Sequence, residues 1–145
     1  RSGATVVGAR DFLIAVNFNL NTTSTRRANA IAFDVREKGR PMRETPIVGK
    51  IVRDENGEPI MIPGTLKGCK AIGWYIAEYG IAQVSMNITD IAQTPLHVAF
   101  EEVCRAAAER GVRVTGTEIV GLVPRSALLE AGKYFLRKQQ RHRSA

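Results

Sequence analysis

The chain has 145 residues, enough for one ordinary domain and not comfortably for two. Its 44% hydrophobic and 24% charged content excludes wholesale disorder. No apolar run approaches the roughly 18 residues of a membrane-spanning helix, so no membrane association is expected.

The net charge of +7 is uneven. Five basic residues and no acidic one lie from Lys133 onward, leaving +2 for the rest. Residues 137–145 therefore read as a basic tail. A second basic stretch runs from Arg26 to Arg53. Such charge attracts nucleic acid, an anionic surface or an acidic ligand, or simply solvates a helix end. Cys69, Cys104, His97 and His142 show no metal-ligand spacing, so no metal is expected and the thiols read as reduced, in a cytoplasmic setting. The first residue is Arg1 rather than Met, which suggests a piece of a longer polypeptide.

In chain order, Asp11–Leu20 alternates strictly, with Phe12, Ile14, Val16, Phe18 and Leu20 on one side and Ala15, Asn17 and Asn19 on the other. This is a strand with one face in a core. Thr23 or Ser24 then caps a helix whose apolar positions are Ala28, Ile31, Ala32 and Val35, and Gly39 closes it. Residues 41–64 hold four of the six prolines and read as a connector. Inside it, Lys50–Arg53 and Ile60–Ile62 flank a hairpin turn at Asn56–Gly57.

Lys70–Ile76 and Ile81–Thr89 form the next hairpin. Ile72, Trp74 and Ile76 are expected on the core side, with Ala71 and Gly73 on the free side. In the second strand Ala82, Val84, Met86 and Ile88 are the core set, and Gln83, Ser85 and Asn87 the polar set. Thr94–Pro95 opens a helix buried through Leu96, Phe100, Val103 and Ala107. Val112–Val123 is a strand, and Pro124 opens a last helix buried through Leu128, Ala131, Phe135 and Leu136.

The order β-α-β-β-α-β is the ferredoxin-like unit, an α+β fold with an antiparallel sheet and both helices on one face. Here it carries an inserted hairpin connector and a C-terminal helix, and residues 1–145 form a single domain. The sheet's other face then bears Asn17, Asn19, Gln83, Ser85 and Asn87. Amides carry both donors and acceptors and suit neutral polar heterocycles. Cross-strand pairing, or a second protein layer, would equally account for them. An RNA-binding module of the same topology stacks bases on aromatics of the central strands. Here Tyr75 is the one aromatic offered to that role, and no [KR]G[FY][GA]F pattern occurs, so no specific nucleic-acid binding is expected. A small-molecule regulatory module remains an alternative.

Four ordered segments carry a more specific signal. Gly3–Leu20 (GATVVGARDFLIAVNFNL), Ile72-Gly-Trp-Tyr75, Ala82-Gln-Val-Ser-Met-Asn87 and Ile119-Val-Gly-Leu-Val-Pro124 resemble the C-terminal subdomain of glutamate formiminotransferase, the formiminotransferase part of formiminotransferase-cyclodeaminase. The resemblance implies transfer of a formimino group from N-formiminoglutamate to tetrahydrofolate, in histidine degradation. It implies an N-terminal subdomain as partner, with folate held between two facing sheets. Asn17, Asn19, Gln83, Ser85, Asn87 and Arg10 are then candidates for the folate-side wall.

The family's catalytic histidine lies in the N-terminal subdomain. Neither His97 nor His142 sits in a matching motif, so no catalytic residue is assigned here and the chain alone is expected to be inactive. The connector is longer than in the family's vertebrate members, and no function is carried onto it. A homo-oligomer is left open by the sequence.

Overall fold

The computed structural model describes residues 3–46 and 48–143. Four strands, β1 (Ile14–Leu20), β4 (Cys69–Ile76), β5 (Ile81–Ile88) and β6 (Val114–Val120), form one sheet in the order β4-β5-β1-β6, with every neighbouring pair antiparallel. Helices α1 (Thr25–Val35) and α2 (Leu96–Ala108) cross over between strands, and α3 (Arg125–Arg143) follows β6. This is the ferredoxin-like order expected from the alternating elements.

The alternation in β1 builds the centre of the core. Ile14, Val16, Phe18 and Leu20 are buried toward the helices, beside Ala82, Val84, Met86 and Ile88 of β5. The strand begins three residues later than its pattern suggests, at Ile14 rather than Asp11. Phe12 is exposed, within a segment from Gly3 to Phe12 that has no regular structure. Ser24 is the cap of α1, its hydroxyl accepting from the Arg27 N–H at 3.2 Å. That helix ends at Val35, and Gly39, at φ +65°, closes the following turn rather than the helix itself. Pro95 stands at the cap of α2, one residue before its first turn.

The face of β4 is opposite to the one its hydrophobicity suggests. Cys69, Ala71 and Gly73 face the helices, while Ile72 and Trp74 are 53% and 41% exposed on the other side. The reason is the close approach of α1. A Cβ placed on Gly73 would stand 2.2 Å from the Asn29 nitrogen and 2.4 Å from the Ala28 carbonyl carbon. The Gly73 N–H in turn donates to Asn29 Oδ1 at 2.9 Å. Only small residues fit beneath a helix so near the sheet. Tyr75 shares the helix-side parity, so the aromatic on the open face is Trp74.

The last helix packs through Ala127 and Ala131, with Phe135 edge-on to Phe100 of α2 at 5.6 Å between ring centres. Leu128 and Leu136, expected in its core stripe, flank that contact and are exposed. An apolar groove of about 320 Å³ remains beside β6, lined by Val16, Phe100, Ile119 and Phe135 among others.

The connector forms its own small ladder. β2 (Arg40–Pro41) pairs with β3 (Met61–Ile62), and bridges join Arg43 to Ile51 and Arg53 to Pro59. The expected turn is present, with the Gly57 N–H donating to the Asp54 carbonyl at 3.0 Å and Gly57 at φ +82°. Asp34 of α1 pairs with Arg40 of the connector and also with Arg110, two residues beyond the end of α2.

Candidate functional site

The sheet register sorts the open-face side chains into three rows. Lys70, Asn87, Ala15 and Val120 lie abreast, then Ile72, Ser85, Asn17 and Glu118, then Trp74, Gln83, Asn19 and Gly116. The topology thus brings Asn17, Asn19, Gln83, Ser85 and Asn87 together on the two central strands. Arg10 stands apart, in the exposed segment ahead of β1.

The amides differ in their surroundings. Asn87 is exposed. Gln83 is 1% and Asn17 is 8% exposed, although no helix covers this face. Hydrogen bonds account for their burial without charge. The Trp74 indole N–H donates to Gln83 Oε1 at 3.0 Å, and Gln83 Nε2 donates to Asn19 Oδ1 at 2.6 Å. In the middle row Asn17 Nδ2 donates to Glu118 Oε2 at 3.1 Å. Asn17 is therefore not the open surface residue that strand alternation alone suggests.

Trp74, Glu118 and Lys70 are the members that sequence reasoning missed. Trp74 and Lys70 were hidden by the inverted face of β4. Glu118 carried a signal in its parity, since Thr117 and Ile119 bracket it on the helix side. Across the three rows the charge is one cation and one anion, so the chain's net positive charge resides elsewhere. Part of it lies on α3, which packs against α2 on the helix side of the sheet, where Lys138 pairs with Glu101 at 2.5 Å. That carboxylate raises the Lys138 pKa above its ordinary value by accepting its hydrogen bond. His97, in the first turn of α2, stacks on Tyr134 of α3 at 4.6 Å between ring centres. Its Nδ1 is buried without a hydrogen-bond partner. Among the described residues, no group of three or more His, Cys, Asp or Glu side chains could hold a metal ion.

Residues 15–144 match the family described as Formiminotransferase domain. The chain belongs to that family. The matched span starts at the second residue of β1 and continues into α3, so the formiminotransferase domain sequence contains all three rows of the open face. Formimidoyltransferase-cyclodeaminase of Sus scrofa is 47% identical over 138 residues, covering 94% of this chain and 22% of the relative. The protein of the same name from Dictyostelium discoideum is 43% identical, again over 94% of this chain and 22% of its own length. Glutamate formimidoyltransferase of Thermoplasma acidophilum is 35% identical over 136 residues, 94% of this chain and 37% of the relative. This formiminotransferase domain chain thus spans about a fifth to a little over a third of the lengths of these relatives.

Proposed function

We propose that this chain is the C-terminal subdomain of a glutamate formiminotransferase, and that its open sheet face is one wall of a tetrahydrofolate cleft. In the reaction a folate nitrogen bonds to the formimino carbon of N-formiminoglutamate, and the bond from that carbon to the glutamate nitrogen breaks. The contribution of this chain is to bind and orient folate, because proximity and alignment lower the barrier without a reacting group from the wall itself. The catalytic histidine belongs to an N-terminal subdomain facing this sheet, in a cytoplasmic enzyme of histidine degradation. No metal takes part in this reading.

One observation carries it: the face of the sheet away from the helices holds uncharged amides that are buried and hydrogen-bonded, next to exposed Asn87 and the bare backbone of Gly116. A purely solvated face gains nothing from buried amides, whereas a wall for a polar heterocycle needs donors and acceptors on a neutral background. Lys70 lies in the first row of this wall and Arg10 in the segment ahead of β1, and their charge suits folate's anionic glutamate tail.

The test is formimino transfer by the complete two-subdomain enzyme carrying Asn87→Ala. Folate use is expected to weaken by about 1–3 kcal/mol for each hydrogen bond lost in the closed cleft. Unchanged folate kinetics would remove this face from the site. The 145-residue chain alone is expected to show no turnover. Turnover that His97→Ala abolishes would put the catalytic centre here instead.

A further inference from the structure

An indole nitrogen carries a hydrogen and offers no lone pair, so Trp74 can only donate. The Gln83 atom facing it at 3.0 Å is therefore the carbonyl oxygen, and Gln83 must turn its NH₂ toward Asn19. Asn19 receives that NH₂ on Oδ1 at 2.6 Å, which leaves its own NH₂ directed away from Gln83. That group lies over Gly116, where a Cβ would stand 3.7 Å from Asn19 Nδ2. Gln83 is fully buried, so water cannot rescue it if it flips. A flip would set two donors against each other at Trp74 and two acceptors at Asn19.

The neighbouring row has the opposite polarity. An ionised carboxylate only accepts, so Glu118 takes the Asn17 NH₂ at 3.1 Å and leaves Asn17 Oδ1 for another partner. Successive open-face positions of β1, roughly 7 Å apart along the strand, thus present an acceptor at Asn17 and a donor at Asn19. Each is oriented from a flanking edge strand, one from β6 and the other from β4.

We infer that Trp74 is a positioning residue. Through Gln83 it holds Asn19 as a hydrogen-bond donor above Gly116, to receive an acceptor atom, a carbonyl oxygen or unprotonated ring nitrogen, of the folate ring system. The absent side chain at Gly116 lets a planar group come close to the backbone there. This inference rests on the folate-wall reading and adds to it the sense of one hydrogen bond.

The experiment uses the complete two-subdomain enzyme with Trp74→Phe, Gln83→Glu and Asn19→Ala. Trp74→Phe keeps a ring at a partly exposed position and removes only the N–H. It is expected to raise the KM for tetrahydrofolate about tenfold, with kcat and the KM for N-formiminoglutamate within about twofold of the parent. Gln83→Glu supplies a second, switchable test. When ionised, the introduced carboxylate accepts from both Trp74 and Asn19 and turns the Asn19 oxygen toward Gly116. When protonated, it accepts from Trp74 and donates to Asn19, as glutamine does. Its folate KM should therefore be high at about pH 8 and fall toward the parent value as pH drops to about 5.5, with the window shifted upward by burial. A merely structural role produces no such recovery.

A parent-like folate KM in Trp74→Phe, or a Gln83→Glu defect independent of pH, overturns the inference. If Asn19→Ala raises the folate KM while Trp74→Phe does not, the relay is wrong and the folate wall stands. If Asn19→Ala, like Trp74→Phe, leaves the folate KM unchanged, the relay fails because Asn19 itself makes no folate contact.

Discussion

On one side of β4, Cys69, Ala71 and Gly73 are small because α1 lies directly on them. On the other side of the same strand, Lys70, Ile72 and Trp74 are long and largely exposed, although two of the three are apolar. Side-chain size therefore runs opposite to burial along this strand. On the helix side, identity is set by how much volume the helix leaves. On the open side, Trp74 and Glu118 stand at the ends of two hydrogen-bonded rows and fix the sense of the amides between them.

Substitutions on the two faces should separate this difference cleanly. The largest effect is expected from Met86→Ala, which empties a fully buried site between sheet and helices and should cost about 2–5 kcal/mol in urea unfolding. Gly73→Ala comes next. The added methyl meets backbone of α1 rather than a movable side chain, so about 1–3 kcal/mol of destabilisation is expected, with a fall in unfolding midpoint. A neutral result would mean that α1 can lift from the sheet.

On the open face the costs should shrink in step with burial. Asn17→Ala loses its bond to Glu118 and should cost about 1 kcal/mol. Asn87→Ala, exposed and one position from Met86, should lie within about 0.5 kcal/mol of the parent. Equal losses for Asn87→Ala and Met86→Ala would erase the distinction between the faces.

The thiols give the finest comparison. Burial pushes the pKa of Cys69 above the ordinary thiol value, and burial with the nearby Glu101 charge does the same for half-buried Cys104. A thiol held protonated by the fold contributes stability below its ordinary pKa, and that contribution is lost as pH rises through the raised value. Alkaline destabilisation should therefore diminish in Cys69→Ala. In the parent, thiol labelling at about pH 8 should reach Cys104 first, since Cys69 needs opening of the sheet–helix interface.

Much of the fold was legible because Ile14–Leu20 and Ala82–Ile88 alternate between large or buried apolar residues and small or polar ones, and because turn residues separate nearly every element. The amide set on β1 and β5 followed from that parity alone. β4 misled because Ile72, Trp74 and Ile76 carry the stronger hydrophobic signal, while the true core set is Cys69, Ala71 and Gly73. Period-two alternation reveals that a strand has two faces but not which one a helix will press upon. The cross-strand partner was the available clue, since Trp74 sits opposite Gln83 and Ala71 opposite Met86. Leu128 and Leu136 misled for a related reason: α3 touches α2 along a narrow stripe, so its flanking leucines stay outside.

The connector between α1 and β4 leaves and returns through one narrow gate. Thr65 and Leu66 donate their N–H groups to the carbonyls of Asp34 and Val35, and a Cβ on Gly64 would stand 2.0 Å from the Arg36 carbonyl oxygen. Beyond that pinch the connector is held by its own ladder and by Arg40, which reaches back to Asp34 and the Ala30 carbonyl of α1. The excursion is thus a modular appendage, whose length can drift over generations while the sheet keeps its register. Doubling such a loop costs only about 0.6 kcal/mol in closure entropy, so selection for folding exerts little pressure on its size. Gly39 and Gly64, at the mouth of the appendage, are where that freedom stops.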